Sequence, residues 1–165
     1  MALRGYRFTK LEGQRTSKRR GVGFLEEIVD EGEASRLDAK EEFESLSEKK
    51  ERDVRARIDY WIDGGPPNDR WFHGWPNDYE VRECFCFRWD DRREHHRLYG
   101  FLCNPQPKSN ARFQLCVLTY HDVKNDESTN RNLLLKSMSL YNSRIARMAI
   151  SFVFPDGAEG KENIQ

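Results

Sequence analysis

Net charge is what this chain most plainly lacks. Its 165 residues carry 28 Lys and Arg against 28 Asp and Glu, so the formal charge is zero. Overall charge therefore says nothing about nucleic acid, and the distribution of charge along the chain has to say more. Long apolar runs are also missing. None approaches the ~20 residues of a bilayer-spanning helix, and the basic first residues lack the apolar centre of a secretory signal. Cysteine is sparse, at four, with no Cys-x-x-Cys pair. Cys84, Cys86, Cys103 and Cys116 lack the loop-borne spacing of zinc ligands. They read as free thiols of a cytoplasmic protein, with no metal or cofactor expected.

What is present is unevenly placed. Residues 1–21 hold seven Lys and Arg against Glu12 alone, and residues 22–63 hold fourteen Asp and Glu against seven Lys and Arg. The first segment reads as a basic N-terminal arm. The chain is organised around residues 81–124. Three runs rich in aromatic and β-branched residues, 81–89, 94–103 and 112–121, are separated by Asp90-Asp91 and by a loop with Pro105 and Pro107. That pattern predicts an antiparallel three-strand meander. Alternation puts Phe85, Phe87 and Trp89 on one face and Arg82, Cys84, Cys86 and Arg88 on the other. Arg97 and Arg112 extend that second face. A row of arginines across neighbouring strands suggests a phosphate-rich partner, although each arginine alone is more often a solvated surface residue.

The flanking segments follow simple signals. Residues 23–30 predict a strand. Asp38 with Glu41 forms a capping-box-like helix start, and Ala39, Phe43 and Leu46 share a helix face. A second helix is predicted over 48–62, with Val54, Ile58, Trp61 and Ile62 on its apolar stripe and Gly64-Gly65-Pro66-Pro67 as its stop. The two helices make a hairpin that must pack on the meander. Residues 68–79 read as an aromatic loop pinned to the body of the domain. A last helix is predicted over 133–148, capped by Ser128 or Thr129, with Leu134, Met138, Tyr141, Ile145 and Met148 as its buried positions. Residues 152–155 would be a short extended piece, and 155–165 a disordered tail. The expected layout is an α+β domain over 22–154: an antiparallel twisted sheet with a helical hairpin packed on it and a C-terminal helix.

In this order the chain resembles the RelE/ParE-like toxins of type II toxin–antitoxin modules, in their phage- and HigB-associated branch. The residues that carry the resemblance are Glu42-Phe43-Glu44-Ser45-Leu46, Cys86-Phe87-Arg88, Arg97-Leu98-Tyr99-Gly100-Phe101 and Val117 to Asn125, with Thr129 after them. Cys86 stands where that branch has a glutamate, Asn125 where it has the second of two lysines, and Asn130 where it has a proline. The resemblance implies a RelE-like toxin acting as a ribosome-dependent, metal-independent mRNA endoribonuclease, with a cognate antitoxin, mRNA and the ribosome as partners. It implies catalytic roles for Arg97, His121 and Lys124, and RNA or phosphate binding by Arg82, Arg88 and Arg112. The arginine-bearing face should then stay partly open. Two other classes remain: a ParE-like topoisomerase-binding toxin without ribonuclease activity, and a catalytically inactive RelE-fold phage or prophage protein that engages a host protein.

Overall fold

In the computed structural model, residues 5–14 and 17–157 are described. Among them ten strands and α-helices follow one another: β1 (Tyr6–Lys10), β2 (Arg20–Glu27), α1 (Ala39–Glu44), α2 (Glu48–Ile62), β3 (Phe72–Gly74), β4 (Cys84–Asp91), β5 (Glu94–Cys103), β6 (Gln114–Lys124), α3 (Arg131–Tyr141) and α4 (Arg144–Val153), with a 3-10 turn at Tyr79–Val81. The strands form one sheet in the order β1-β2-β6-β5-β4-β3. The meander β4-β5-β6 is antiparallel, as the sequence predicts. The sheet as a whole is mixed, because β2 runs parallel to β6. The helical hairpin followed by β3, β4 and β5 makes the long connection that a parallel pair requires.

Both faces of the sheet are covered. On one, α1 and α2 bury Phe43, Val54, Ile58, Trp61 and Ile62 against Phe24, Phe85, Phe87, Trp89, Leu98 and Leu118. Trp61 packs on both Phe85 and Phe87, with ring centroids 5.3 and 5.9 Å away. Each such fully buried apolar side chain stabilises by about 1.5–3 kcal/mol relative to exposure. Helix α2 keeps its predicted limits because Ser47 accepts a hydrogen bond from Lys50 N at one end and Gly64 takes φ +80° beyond the other. On the opposite face, Leu140, Ala146, Ile150 and Phe154 pack on Phe8, Leu25, Phe101, Leu115 and Val117. On that face Arg97 is buried, while Arg88 stays half-exposed and Arg82 and Arg112 are exposed.

Several expectations are corrected. The basic segment contains an edge strand: β1 pairs antiparallel with β2, Phe8 is buried, and Arg7 and Lys10 charge the free edge. The remainder of the expected arm, residues 1–4 and 15–16, lies outside the described residues, as do residues 158–165 of the expected tail. The tail's first residues are held, since Asp156 accepts hydrogen bonds from the Lys108 and Ser109 amides at 3.0 and 2.8 Å. The aromatic loop contributes strand β3, which stacks Phe72 on Phe85 at 5.8 Å. The single C-terminal helix is two helices. Asn130, not Ser128 or Thr129, caps α3 by accepting from Leu133 N, and Ser143 caps α4 by accepting from Ala146 N. Residues 152 and 153 belong to α4, and its turn relative to α3 leaves Ile145 and Met148 exposed.

Candidate functional site

The parallel pair β2–β6 stays in register only as far as Phe24 opposite Leu118. Beyond it the strands part, and residues 36–38 lie in the gap. A cleft of about 480 Å³ opens there, lined among others by Tyr6, Glu27, Arg36, Asp38, Tyr120 and His121. Glu27 anchors one wall: its carboxylate accepts from Arg36 N at 2.6 Å and from the Arg36 guanidinium at 2.9 Å. Asp38 anchors the other. It stands at the α1 N-terminus but makes no capping bond, and the capping box expected with Glu41 does not form. Its Oδ1 instead accepts from His121 N at 2.8 Å, a donor that no longer has a strand opposite it.

His121 lies on the hairpin face of β6, opposite Leu98. It belongs to a ring cluster in which Trp89 stacks on His96 at 5.2 Å and on His121 at 6.1 Å. His96 Nδ1 and His121 Nε2 are 3.0 Å apart, and His121 Nδ1 is 3.8 Å from Glu42 Oε2. Burial lowers the His121 pKa, reinforced by His96 and only partly opposed by Glu42 and Asp38. The neutral imidazole is therefore favoured near neutrality.

The remaining residues predicted from sequence do not join it. Arg97 is 3% exposed, and its guanidinium donates to the carbonyls of Ser128 and Glu127 at 2.7 Å each. It clamps the loop that leads into α3 and is not open to phosphate. Lys124 reaches the same loop, with Nζ 3.3 Å from Ser128 Oγ. Arg88 lies opposite Arg97 in the β4–β5 register and donates to the Asp69 carbonyl at 2.7 Å. Arg82 and Arg112 are exposed, near the far end of the meander from Lys124. The structure thus brings Arg88, Arg97 and Lys124 to one region, puts His121 on the other face, and leaves Arg82 and Arg112 remote. The four cysteines are free, with Cys84 and Cys86 on the α3 side and Cys116 on the hairpin side. Burial pushes the thiols of Cys84, Cys86 and Cys103 up to about 12, so they remain protonated. Asp38, Glu42 and His96 were not singled out as site residues by sequence reasoning. The usable signal was the i, i+4 spacing of two acids on one helix face.

Comparison with known proteins finds no matching family model, no matching curated protein and no matching solved structure. Among the described residues, no helix is long and apolar enough to cross a membrane.

The Glu27–Arg36 pair sets a pH dependence. Burial raises the Glu27 carboxyl pKa, but hydrogen bonds and charge from Arg36 outweigh it and hold the group below the usual range. A carboxyl depressed in the folded state contributes stability above its unfolded pKa, ordinarily about 4.3, and loses it as pH falls through the folded value. Glu27→Gln should therefore lower the urea midpoint at pH 7. The gap to wild type should close on acidification below about pH 4. A constant gap at every pH would mean that the pair's charge is not the source.

Proposed function

We propose that this protein acts by binding another protein, on a RelE-like scaffold, and does not cleave RNA. The observation that carries this reading is the closure of Arg97. A ribonuclease without a metal needs preorganised cations facing the scissile phosphate. The arginine that best fits that role by resemblance is instead buried on two backbone carbonyls. His121, the candidate acid or base, points away from it to the hairpin face. Support for the scaffold comes from the order β2, α1–α2, β4–β6, α3.

A binding surface is offered by the outer side of α4. Ile145, Met148 and Phe152 are 59, 63 and 88% exposed, at i, i+3 and i+7. Arg144 and Arg147 flank them, and α4 carries no acid. An apolar stripe edged by cations suits an acidic amphipathic helix laid alongside it. Such a partner has the chemistry of an antitoxin segment or of a host protein's regulatory helix.

Two measurements test the reading. Messenger RNA translated in the presence of the purified chain should stay intact; codon-phased cutting in the ribosomal A site would restore the ribonuclease. A synthetic helix with leucines at i, i+3 and i+7 and glutamates elsewhere should bind the wild type. It should not bind Met148→Asp/Phe152→Asp, whose thermal midpoint should barely move because both positions are exposed. Equal binding by the variant would remove α4 as the surface.

A further inference from the structure

We infer that Asp38, Glu42 and His121 form a binding site for one divalent first-row transition metal ion, of the Zn²⁺ or Mn²⁺ type. Among the described residues, these three side chains place one ligand atom each within 4.8 Å of the others. A four-coordinate ion with bonds of about 2.0–2.2 Å holds its donors roughly 3.4 Å apart. The measured 3.8 Å from His121 Nδ1 to Glu42 Oε2 is close to that separation. Glu42 is only partly buried and can make up the difference by turning about its side-chain bonds.

The surroundings favour a cation over a salt bridge. Two neighbouring cations are engaged elsewhere, Arg36 with Glu27 at 2.9 Å and Lys40 with Glu26 at 3.5 Å, while Lys136 stands on the α3 side of the cleft. Asp38 makes no capping bond and takes its one hydrogen bond, from His121 N, on Oδ1. Among the described residues, neither Asp38 nor Glu42 has a Lys or Arg partner.

His96 supplies an independent observation. Its Nδ1 lies 3.0 Å from His121 Nε2, and its buried Nε2, without a hydrogen bond, is 3.7 Å from Glu94 Oε1. A proton on His96 Nε2 faces the Glu94 carboxylate and leaves Nδ1 to accept from His121 Nε2–H. His121 Nδ1 is then bare and directed at Asp38 and Glu42. A ligating histidine held through its other ring nitrogen is the ordinary outer-shell arrangement of a metal site. Stacking on Trp89 fixes the planes of both imidazoles. Asp38 and His121 also border the 480 Å³ cleft and Glu42 is half-exposed, so an ion held here would keep a position open to water.

Equilibrium dialysis of the full chain against Zn²⁺, Mn²⁺ and Co²⁺, with Co²⁺ absorption as the coordination readout, tests the site. One equivalent should bind, with visible Co²⁺ bands and a rise in thermal midpoint with metal concentration. His121→Gln and Glu42→Gln should abolish the bands, and His96→Gln should weaken binding about 10–100-fold. His95→Gln, which removes the exposed His95–Asp90 pair, should change nothing. If His121→Gln does not fold, Glu42→Gln, at a half-exposed position, decides alone. No metal uptake by the wild type, or undiminished uptake by Glu42→Gln, would overturn the site.

Discussion

Arg97→Ala is expected to destabilise the protein by about 3–5 kcal/mol, without any assay of activity being needed to see it. The side chain is buried beside Tyr99, with two carbonyls as its acceptors. Truncation leaves the Glu127 and Ser128 carbonyls without their donor and opens a cavity under the loop. Glu127 and Ser128 are exposed, so water partly replaces the donor and each carbonyl contributes at the low end of about 1–3 kcal/mol, with the lost packing of the buried arginine supplying the rest. Asp122, the cross-strand neighbour of Arg97, already has a buried Oδ2 without a hydrogen bond, and would lose the cation opposite it in the register. A chain of this size loses about 2–4 °C in Tm per kcal/mol, so the midpoint should fall by roughly 6–20 °C. Arg97→Lys should recover little, because one ammonium on a flexible stem cannot place two donors in a fixed fork. A wild-type melt for Arg97→Ala would mean that the loop supports itself and that Arg97 is free for another task.

That outcome would also separate two readings of the same arginine. A phosphate-binding arginine at an open site can be removed with the fold intact. A clamp cannot. The distinction was not legible in the sequence, because alternation assigns a residue to a face and says nothing about what covers it. The face of Arg97 was expected to stay partly open, and it is α3 with the loop before it that lies over this arginine. Ser143 restarts the helix after Tyr141, and α4 turns back across β1 to cover Phe8 and Leu25. The local signal for that break, a serine three residues before Ala146 N, was there to be read.

Other parts were legible for clear physical reasons. The meander and α2 have strong periodicity; α2 keeps its predicted limits and the three strands pair as expected, although Asp90 and Asp91 extend β4 and the turn falls at 92–93. The strand β1 was obscured by the charge around it: Arg7 and Lys10 read as a solvated arm, yet an edge strand needs charge on its free side. The metal-type cluster was hidden because its members are 83 residues apart in sequence at Asp38 and His121, and meet only where the parallel strands diverge. His121 was singled out, but for a proton-transfer role on the arginine face. Its partners belong to the opposite face.

Gly100→Ala is expected to have the other large effect, and its cause is close approach rather than backbone freedom. A Cβ at Gly100 would lie 1.9 Å from the Val117 carbonyl oxygen and 2.9 Å from the Leu118 Cα. Both are backbone atoms of the neighbouring strand and cannot swing aside. The crowding has a local origin. Pairing passes from Tyr99–Tyr120 to Gly100–Leu118, so Thr119 is an extra residue in β6. Its hydroxyl bonds the Tyr99 carbonyl at 3.0 Å and Ser137 Oγ at 2.9 Å, drawing the bulged strand onto β5 and α3. A methyl group at Gly100 would have to push β6 away. The loss should be at least about 3 kcal/mol, at the upper end of overpacking costs. Gly64→Ala is the control, since that residue has φ +80° and no atom within 4 Å of a new Cβ. It should cost only the left-handed backbone penalty, about 1–2 kcal/mol. The bulge also puts Leu118 and His121 on the same face, so a Gly100→Ala protein that still folds should show a displaced His121. Its Trp89 fluorescence should change and its Co²⁺ binding should fall with it. A Gly100→Ala protein as stable as Gly64→Ala, with unchanged fluorescence, would mean that β6 can move outward freely and that the bulge does not set the position of His121.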